Sequence, residues 1–222
     1  MGIEIKICGL RSPEAVEAAL AAGADLIGLV FFPPSPRHLS LEAGARLASL
    51  ARGRTPVAAL TVDADDELLA SIVEAVSPDL LQLHGRETPV RAAEIRRRFG
   101  RPVMKAIGVA DAADLDRARA YRGVADRILL DAKPPRDATR PGGNGLAFDW
   151  RLLAGLDLGG PIMLSGGLNA ANVGQAIYTA RPQGVDASSG VESAPGVKDP
   201  VRIASFVAAA REAARILEET AA

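Results

Sequence analysis

Eight short apolar segments alternate with eight longer segments of helical periodicity, and this alternation restricts the 222-residue chain to very few folds. The predicted strands cover residues 3–8, 25–31, 56–62, 79–83, 102–107, 127–131, 161–164 and 185–188. The predicted helices cover residues 12–22, 41–52, 65–76, 88–99, 111–121, 150–156, 169–180 and 200–219. Because most of these strands are apolar on both faces, they need a sheet that is covered on both sides, as in a parallel α/β protein.

Eight strand-helix pairs predict a single (βα)8 barrel in which residues 1–222 form one domain. The competing architecture is a doubly wound open sheet, which is expected to carry a glycine fingerprint in its first strand-helix turn. That turn reads Cys8-Gly9-Leu10-Arg11-Ser12, which is not GxGxxG, and a GxxxxGK[ST] phosphate loop occurs nowhere in the sequence. The absence of both motifs favours the closed barrel.

Charge and composition indicate a small-molecule partner. Lys and Arg total 26 against 27 for Asp and Glu, so there is no broad positive field for nucleic acid or for an anionic membrane. No run reaches the roughly 18 apolar residues of a membrane span, and residues 1–20 do not resemble a signal peptide. We therefore expect a cytoplasmic protein, and a monomer in preference to a homodimer.

Cysteine and histidine are too scarce for the usual metal and disulfide frameworks. Cys8 is the single cysteine, so no internal disulfide can form, and the two histidines do not fit zinc-ligand patterns. We expect no metal site, because carboxylates would have to supply nearly all of its ligands.

Two reactive groups end predicted strands on different sides of the barrel, at the end where barrel enzymes place their active sites. Cys8 ends the first strand, with Lys6 two residues earlier on the same strand face, and Asp131 ends the sixth strand. A lone cysteine is more often a small buried hydrophobe, and an aspartate after a strand is often a loop cap. Facing each other across the barrel mouth, however, they would provide the base and the acid that an isomerase needs.

Glycine-rich loops follow the seventh and eighth strands. Gly166 and Gly167 lie in the first loop, and Ser188, Ser189 and Gly190 lie in the second. Each segment is by itself compatible with a simple turn. Barrels frequently bind phosphate at these two loops, and glycine lets the backbone approach an anion closely. The pair therefore predicts a phosphate site.

An arginine and a histidine follow two further strands. Arg37 lies in a loop stiffened by three prolines, where it is suited to a bidentate pair with a carboxylate, although an exposed arginine is the ordinary interpretation. His84 follows the fourth strand, and we interpret it as a structural histidine.

Taken together, these segments resemble the N-(5'-phosphoribosyl)anthranilate isomerases of tryptophan biosynthesis. The matching segments, in order, are Lys6-Ile7-Cys8-Gly9, Gly23-Ala24-Asp25 with Ile27-Gly28, Ser35-Pro36-Arg37, Gln82-Leu83-His84-Gly85, Leu130-Asp131, Gly142-Gly143, Phe148-Asp149-Trp150, Ser165-Gly166-Gly167-Leu168 and Asp186-Ala187-Ser188-Ser189-Gly190-Val191-Glu192. The resemblance implies a (βα)8 barrel that performs an Amadori rearrangement without a metal or an organic cofactor.

The resemblance also implies a role for each candidate residue. Asp131 would protonate the furanose ring oxygen, and Cys8, as thiolate, would remove the C2 proton. Arg37 would hold the anthranilate carboxylate, and Asp186 would contact a ribulose hydroxyl. The phosphate would lie on Gly166, Gly167, Ser188, Ser189 and Gly190. Because a free thiol is mostly protonated at neutral pH, we expect the site to lower the pKa of Cys8 through Lys6.

Two positions depart from the family pattern. Asn144 stands where the family more often has threonine, and Ala187 stands where it more often has valine. Neither position carries a proposed catalytic group.

Three alternatives remain open at this point. The histidine-pathway aminoaldose isomerase uses two aspartates, and Cys8 stands where the first of them is expected. Indole-glycerol-phosphate synthase has an additional N-terminal helix, whereas the first strand here starts at residue 3. A barrel that only binds a phosphorylated metabolite is the non-enzymatic alternative.

Overall fold

The computed structural model describes residues 2–133 and 148–221, and it confirms the closed parallel barrel. Each strand pairs with the next, and β1 pairs with β8 to close the ring. The strands are β1 (Glu4–Cys8), β2 (Leu26–Val30), β3 (Val57–Thr61), β4 (Leu80–Leu83), β5 (Val103–Val109), β6 (Arg127–Ala132), β7 (Ile162–Leu164) and β8 (Gly184–Ala187). The open-sheet alternative is therefore wrong.

Helices lie outside the barrel, and neighbouring helices contact one another. They are α1 (Pro13–Ala22), α2 (Leu41–Ala51), α3 (Asp66–Val76), α4 (Pro89–Phe99), α5 (Ala112–Arg119), α6 (Val173–Ala180) and α7 (Pro200–Ala221). Loop residues with short polar side chains begin several helices. Ser12, Ser40, Asp65, Thr88 and Asp111 each accept a hydrogen bond from a backbone N–H of the first turn. Such a cap stabilises a helix by about 1 kcal/mol.

Two predicted helices differ from the structure. The segment after β6 forms a 3₁₀ turn, Trp150–Leu153, in place of a helix over 150–156. The helix predicted from residue 169 begins at Val173, because Asn169 and Asn172 fold the preceding residues into a loop. In that loop the Asn169 N–H donates to Asn172 Oδ1 at 2.8 Å, and Asn172 Nδ2 donates to Gly167 O at 3.0 Å.

A short antiparallel hairpin between β8 and α7 was not predicted. It consists of β9 (Glu192–Ala194) and β10 (Val197–Lys198). Strands of three and two residues are too short to produce a periodic pattern in the sequence.

The alternation of side chains along each strand places the polar groups of β1 inside the barrel. Ile5 and Ile7 belong to the large core between the sheet and the helices. Lys6 and Cys8 project from the opposite face, and Cys8 packs against Val30 and Leu60. A separate apolar cluster lies below this level inside the barrel, formed by Leu26, Ala58, Leu80, Met104, Ala106, Leu129 and Met163. Apolar side chains therefore fill the barrel interior beneath Lys6 and Cys8.

We expect Leu29→Ala to lower the free energy of unfolding by about 2–5 kcal/mol, because Leu29 is fully buried between the sheet and the helices. The matched control is Leu68→Ala on α3, where the leucine is 36% exposed and the expected change is about 0.5 kcal/mol. Urea denaturation followed by circular dichroism measures both. Equal losses in the two variants would contradict this assignment of the core.

Candidate active site

A pocket opens at the carboxyl ends of the strands. It brings together eight of the nine candidate residues from the sequence: Cys8, Arg37, Asp131, Gly166, Gly167, Asp186, Ser188 and Ser189. Val30, Phe32, Leu60 and Val62 form an apolar wall in the same pocket. The site therefore combines charged groups, glycine-rich backbone and an apolar surface.

The ninth candidate, Gly190, lies behind the pocket lining and joins the two glycine-rich loops. A Cβ atom at this position would lie 1.9 Å from the carbonyl oxygen of Leu168. Only glycine allows the loop after β8 to approach the loop after β7 this closely. Gly190 therefore sets the distance between the two loops.

The thiol lies beside a buried ion pair. Lys6 Nζ donates to Asp186 Oδ1 at 2.8 Å, and Ser165 Oγ donates to Asp186 Oδ2 at 3.1 Å. Cys8 is only 4% exposed and packs closely over β2, since a Cβ at Gly28 would lie 2.7 Å from its Sγ. Burial lowers the pKa of Lys6, but Asp186 and Cys8 outweigh it and raise the pKa to about 12. Lys6 is therefore a permanent cation next to the thiol.

The expectation that the site lowers the pKa of Cys8 is wrong. Burial raises the pKa of the thiol, and the carboxylate of Asp186 adds to this effect. Lys6 and Lys198 act in the opposite direction, but they do not outweigh burial. The thiol is therefore harder to ionise than free cysteine, although two ammonium groups face it.

Asp131 is held by its own strand end and by a histidine. Its Oδ1 accepts a hydrogen bond from the Ala132 N–H at 2.9 Å, and its Oδ2 lies 3.3 Å from His84 Nε2. Gln82 Nε2 lies 3.2 Å from His84 Nδ1. In the tautomer with the proton on Nε2, His84 accepts from the Gln82 amide and donates toward Asp131.

His84 thus contacts the proposed acid, which the sequence interpretation as a structural histidine missed. The available signal was the spacing of Gln82 and His84, two residues apart and so on the same side of the strand.

The backbone on both sides of His84 is fixed by a buried lysine that the sequence reasoning did not single out. Lys105 Nζ donates to the carbonyl oxygens of Leu83 at 3.2 Å and of Gly85 at 2.7 Å. It also donates to Glu87 Oε2 at 2.8 Å, with both side chains almost fully buried.

Arg37 is not the exposed arginine of the ordinary interpretation, since it is only 4% exposed. Its Nε and Nη2 donate to Glu192 Oε1 and Oε2 at 2.7 and 2.8 Å. Its side chain passes over Gly9, where a Cβ would lie 2.4 Å from Arg37 Cδ. Glu192 is a functional candidate that the sequence missed, because its partner lies 155 residues away.

Backbone donors lie in the two glycine-rich loops that line the pocket. Gly166 and Gly167 have φ of +93° and +64°, a left-handed conformation that favours glycine. The N–H groups of Gly166, Gly167 and Ser188 donate to no acceptor in residues 2–133 and 148–221. Consecutive free N–H groups of this kind form an anion-binding concavity.

Some candidate features lie elsewhere. The Gly142-Gly143 motif and Asn144 lie outside the described residues. Within the described part of the chain, no three His, Cys, Asp or Glu side chains are grouped so that they could hold a metal ion. No helix described in the structure is long and apolar enough to cross a membrane.

Fold and pocket are those of a (βα)8-barrel enzyme whose pocket is lined by a thiol, a carboxyl group, an arginine and two glycine-rich loops. Residues 5–209 match the family model described as N-(5'phosphoribosyl)anthranilate (PRA) isomerase. The chain therefore belongs to the N-(5'-phosphoribosyl)anthranilate isomerase family.

Individual relatives match along nearly the whole chain. The N-(5'-phosphoribosyl)anthranilate isomerase of Nitrobacter winogradskyi is 58% identical over 219 residues, covering 99% of this chain and 97% of the relative. The crystal structure of phosphoribosyl anthranilate isomerase from Thermotoga maritima has a TM-score of 0.86 at 37% identity, covering 95% of this chain and 99% of that one.

A second solved relative contains a ligand. It is a phosphoribosyl anthranilate isomerase in complex with reduced 1-(o-carboxyphenylamino)-1-deoxyribulose 5-phosphate. The TM-score is 0.83 at 34% identity, with 95% of this chain and 99% of that chain covered.

We expect the Cys8 thiol to titrate at a higher pH than free cysteine, because burial outweighs the two nearby ammonium groups. The thiolate absorbance in the far ultraviolet, recorded against pH, reports this group directly since Cys8 is the single cysteine. Cys8→Ser provides the blank. A midpoint below that of free cysteine would contradict the balance of burial and charge described above.

Proposed function

We propose that Cys8 and Asp131 are the base and the acid with which this chain isomerises N-(5'-phosphoribosyl)anthranilate in tryptophan biosynthesis. The product is 1-(2-carboxyphenylamino)-1-deoxyribulose 5-phosphate. The observation that carries the proposal is that the thiol and the carboxyl group line one pocket, together with a receptor for each end of this substrate.

The pocket offers a different kind of binding group to each end of the substrate. Phe32 and the neighbouring aliphatic side chains provide an apolar surface for the anthranilate ring, and Arg37 lies in the same lining to meet its carboxylate. The free N–H groups of Gly166, Gly167 and Ser188 provide for the phosphate. We infer that the ribose then lies against the thiol and Asp131, which line the same pocket.

Ring opening requires an acid. Asp131, protonated, gives its proton to the furanose ring oxygen, and the bond between that oxygen and C1 breaks with its electron pair retained by the oxygen. The nitrogen lone pair forms the C=N bond of a protonated Schiff base. The His84 N–H, 3.3 Å from the carboxyl group, is placed to stabilise the carboxylate that remains.

Isomerisation then requires a base. The Cys8 thiolate removes the proton on C2, the C–H electron pair forms the C1=C2 bond, and the C=N π electrons return to nitrogen. The resulting enolamine becomes the ketone when its hydroxyl proton is lost and C1 gains a proton. Asp131 has lost one proton and Cys8 has gained one, so exchange with solvent restores both groups with no net change.

Lys6 supports the base in this scheme. It is a buried cation, and it lowers the cost of forming a thiolate at Cys8. Asp186, held by Lys6 and Ser165, presents its carboxylate to a hydroxyl of the opened sugar. Since every group in the scheme belongs to one chain, we propose that the enzyme acts as a monomer, and that it works in the cytoplasm.

We expect Cys8→Ser and Asp131→Asn each to lower kcat/KM by about 10²–10⁴-fold, the usual contribution of a general base or acid. The assay follows the loss of substrate fluorescence, with excess indole-glycerol-phosphate synthase removing the product. Asp116→Asn, at an exposed carboxylate on α5, is the matched control and should retain full activity.

A folded wild-type protein without turnover would contradict the proposed function and favour the metabolite-binding alternative. An active wild type with one nearly intact variant would contradict the role of that residue alone. Circular dichroism of each variant establishes that it is folded.

A further inference from the structure

The hairpin after β8 carries two buried charges that the scheme above does not use. Glu192 begins β9 and Lys198 ends β10, and their side chains are only 4% and 1% exposed. Lys198 Nζ donates to Glu192 Oε1 at 2.7 Å. Burial of a charged pair is costly unless each group is well paired, so the contacts of the pair indicate what it holds in place.

Glu192 holds the arginine. Both of its oxygens accept from Arg37, and Oε2 also accepts from the Gly196 N–H at 3.2 Å. The bidentate contact fixes the plane of the guanidinium group. Arg37 Nη1, the remaining edge, makes no hydrogen bond to the described part of the chain, although Arg37 lines the pocket. Glu192 therefore leaves one edge of the arginine available to a ligand.

Lys198 holds the loop after β8. Its Nζ donates to the carbonyl oxygen of Ser188 at 2.9 Å and to Ser188 Oγ at 3.3 Å. The hairpin turn also packs against the loop that carries Arg37. Gly196 has a φ of +79°, and a Cβ there would lie 2.5 Å from the carbonyl oxygen of Pro36. One small hairpin thus contacts both the loop of Ser188 and the loop of Arg37.

We propose that Glu192 and Lys198 form a positioning pair, which sets the placement of Arg37 relative to Ser188. The inference rests on the proposed function, since the two ends it connects are the proposed carboxylate and phosphate sites. Neither residue is assigned contact with the reacting atoms.

Burial and neighbouring charges shift the pKa values of both Glu192 and Lys198. Burial lowers the pKa of Lys198 to about 8, against the attraction of Glu192, while Arg37 lowers it further and Cys8 opposes this. Burial alone would raise the pKa of Glu192, but Arg37 and Lys198 hold it below its ordinary value. Below about pH 8 the cluster therefore contains two cations and one anion, and as the pH rises through this value Lys198 loses its charge.

The test compares Lys198→Met, Lys198→Arg and Glu192→Gln. We expect Lys198→Met and Glu192→Gln to raise KM by about tenfold or more, with a smaller fall in kcat, because each loses charge-assisted hydrogen bonds that orient a binding group. Lys198→Met should also weaken the binding of inorganic phosphate at pH 7, because the loop that carries Ser188 loses two hydrogen bonds. Lys198→Arg retains the charge and should restore much of both properties.

Arg46→Met provides the control for loss of one exposed positive charge, on the outer side of α2. It should leave KM and phosphate binding unchanged. Phosphate binding, measured by calorimetry, needs no turnover, so failure of the positioning pair is distinguishable from failure of the proposed function. If Lys198→Met does not fold, Glu192→Gln and Lys198→Arg decide the question. A KM within twofold of wild type in Glu192→Gln, or a phosphate affinity that is the same in wild type and a folded Lys198→Met, would overturn the proposal.

Discussion

The site depends on the seam where the barrel closes. β1 pairs with β8 in a register that places Lys6 opposite Asp186, and the two side chains form an ion pair inside the barrel. A buried ion pair of this kind seldom adds net stability, because desolvation offsets the attraction between the charges. Its effect here is local, since it fixes a permanent cation next to Cys8 and orients Asp186 into the pocket. The strand pairing that closes the barrel therefore also brings Lys6 and Asp186 into the site.

Charges of opposite sign alternate around the thiol at short range. Lys6 is paired with Asp186, and Lys198 is paired with Glu192, which also binds Arg37. Each cation therefore has a carboxylate partner, and the thiol is influenced by Lys6, Asp186 and Lys198. This explains why burial dominates the pKa of Cys8, although two ammonium groups face it. It also explains how so many ionisable groups can be buried at the barrel mouth.

The sequence predicts the barrel well because its signals are local. The strand bounds agree with the structure to within about two residues, as expected when glycine, proline and capping residues mark the ends of apolar segments. The start of α6 was wrong because the Asn169 and Asn172 side chains bond to nearby backbone, an alternative to helix that periodicity does not reveal.

The candidate site was predictable only in part. Strand ends and glycine pairs identified Cys8, Asp131 and both loops, since barrel topology places them at one end. The Arg37–Glu192 pair spans 155 residues, so no local pattern shows it. The pKa of Cys8 depends on burial, which a strand-end position does not specify. The sequence alone does not show contacts between residues that are far apart in the chain. It also does not show the dielectric environment that these contacts create.

The most direct test is a crystal structure of this chain with one product analogue bound. The analogue is reduced 1-(o-carboxyphenylamino)-1-deoxyribulose 5-phosphate. We expect the carboxylate on Arg37, the phosphate on the N–H groups of Gly166, Gly167 and Ser188, and C2 next to the sulfur of Cys8. A ligand bound in the reverse direction, or a carbon chain out of reach of Cys8 and Asp131, would contradict this expectation.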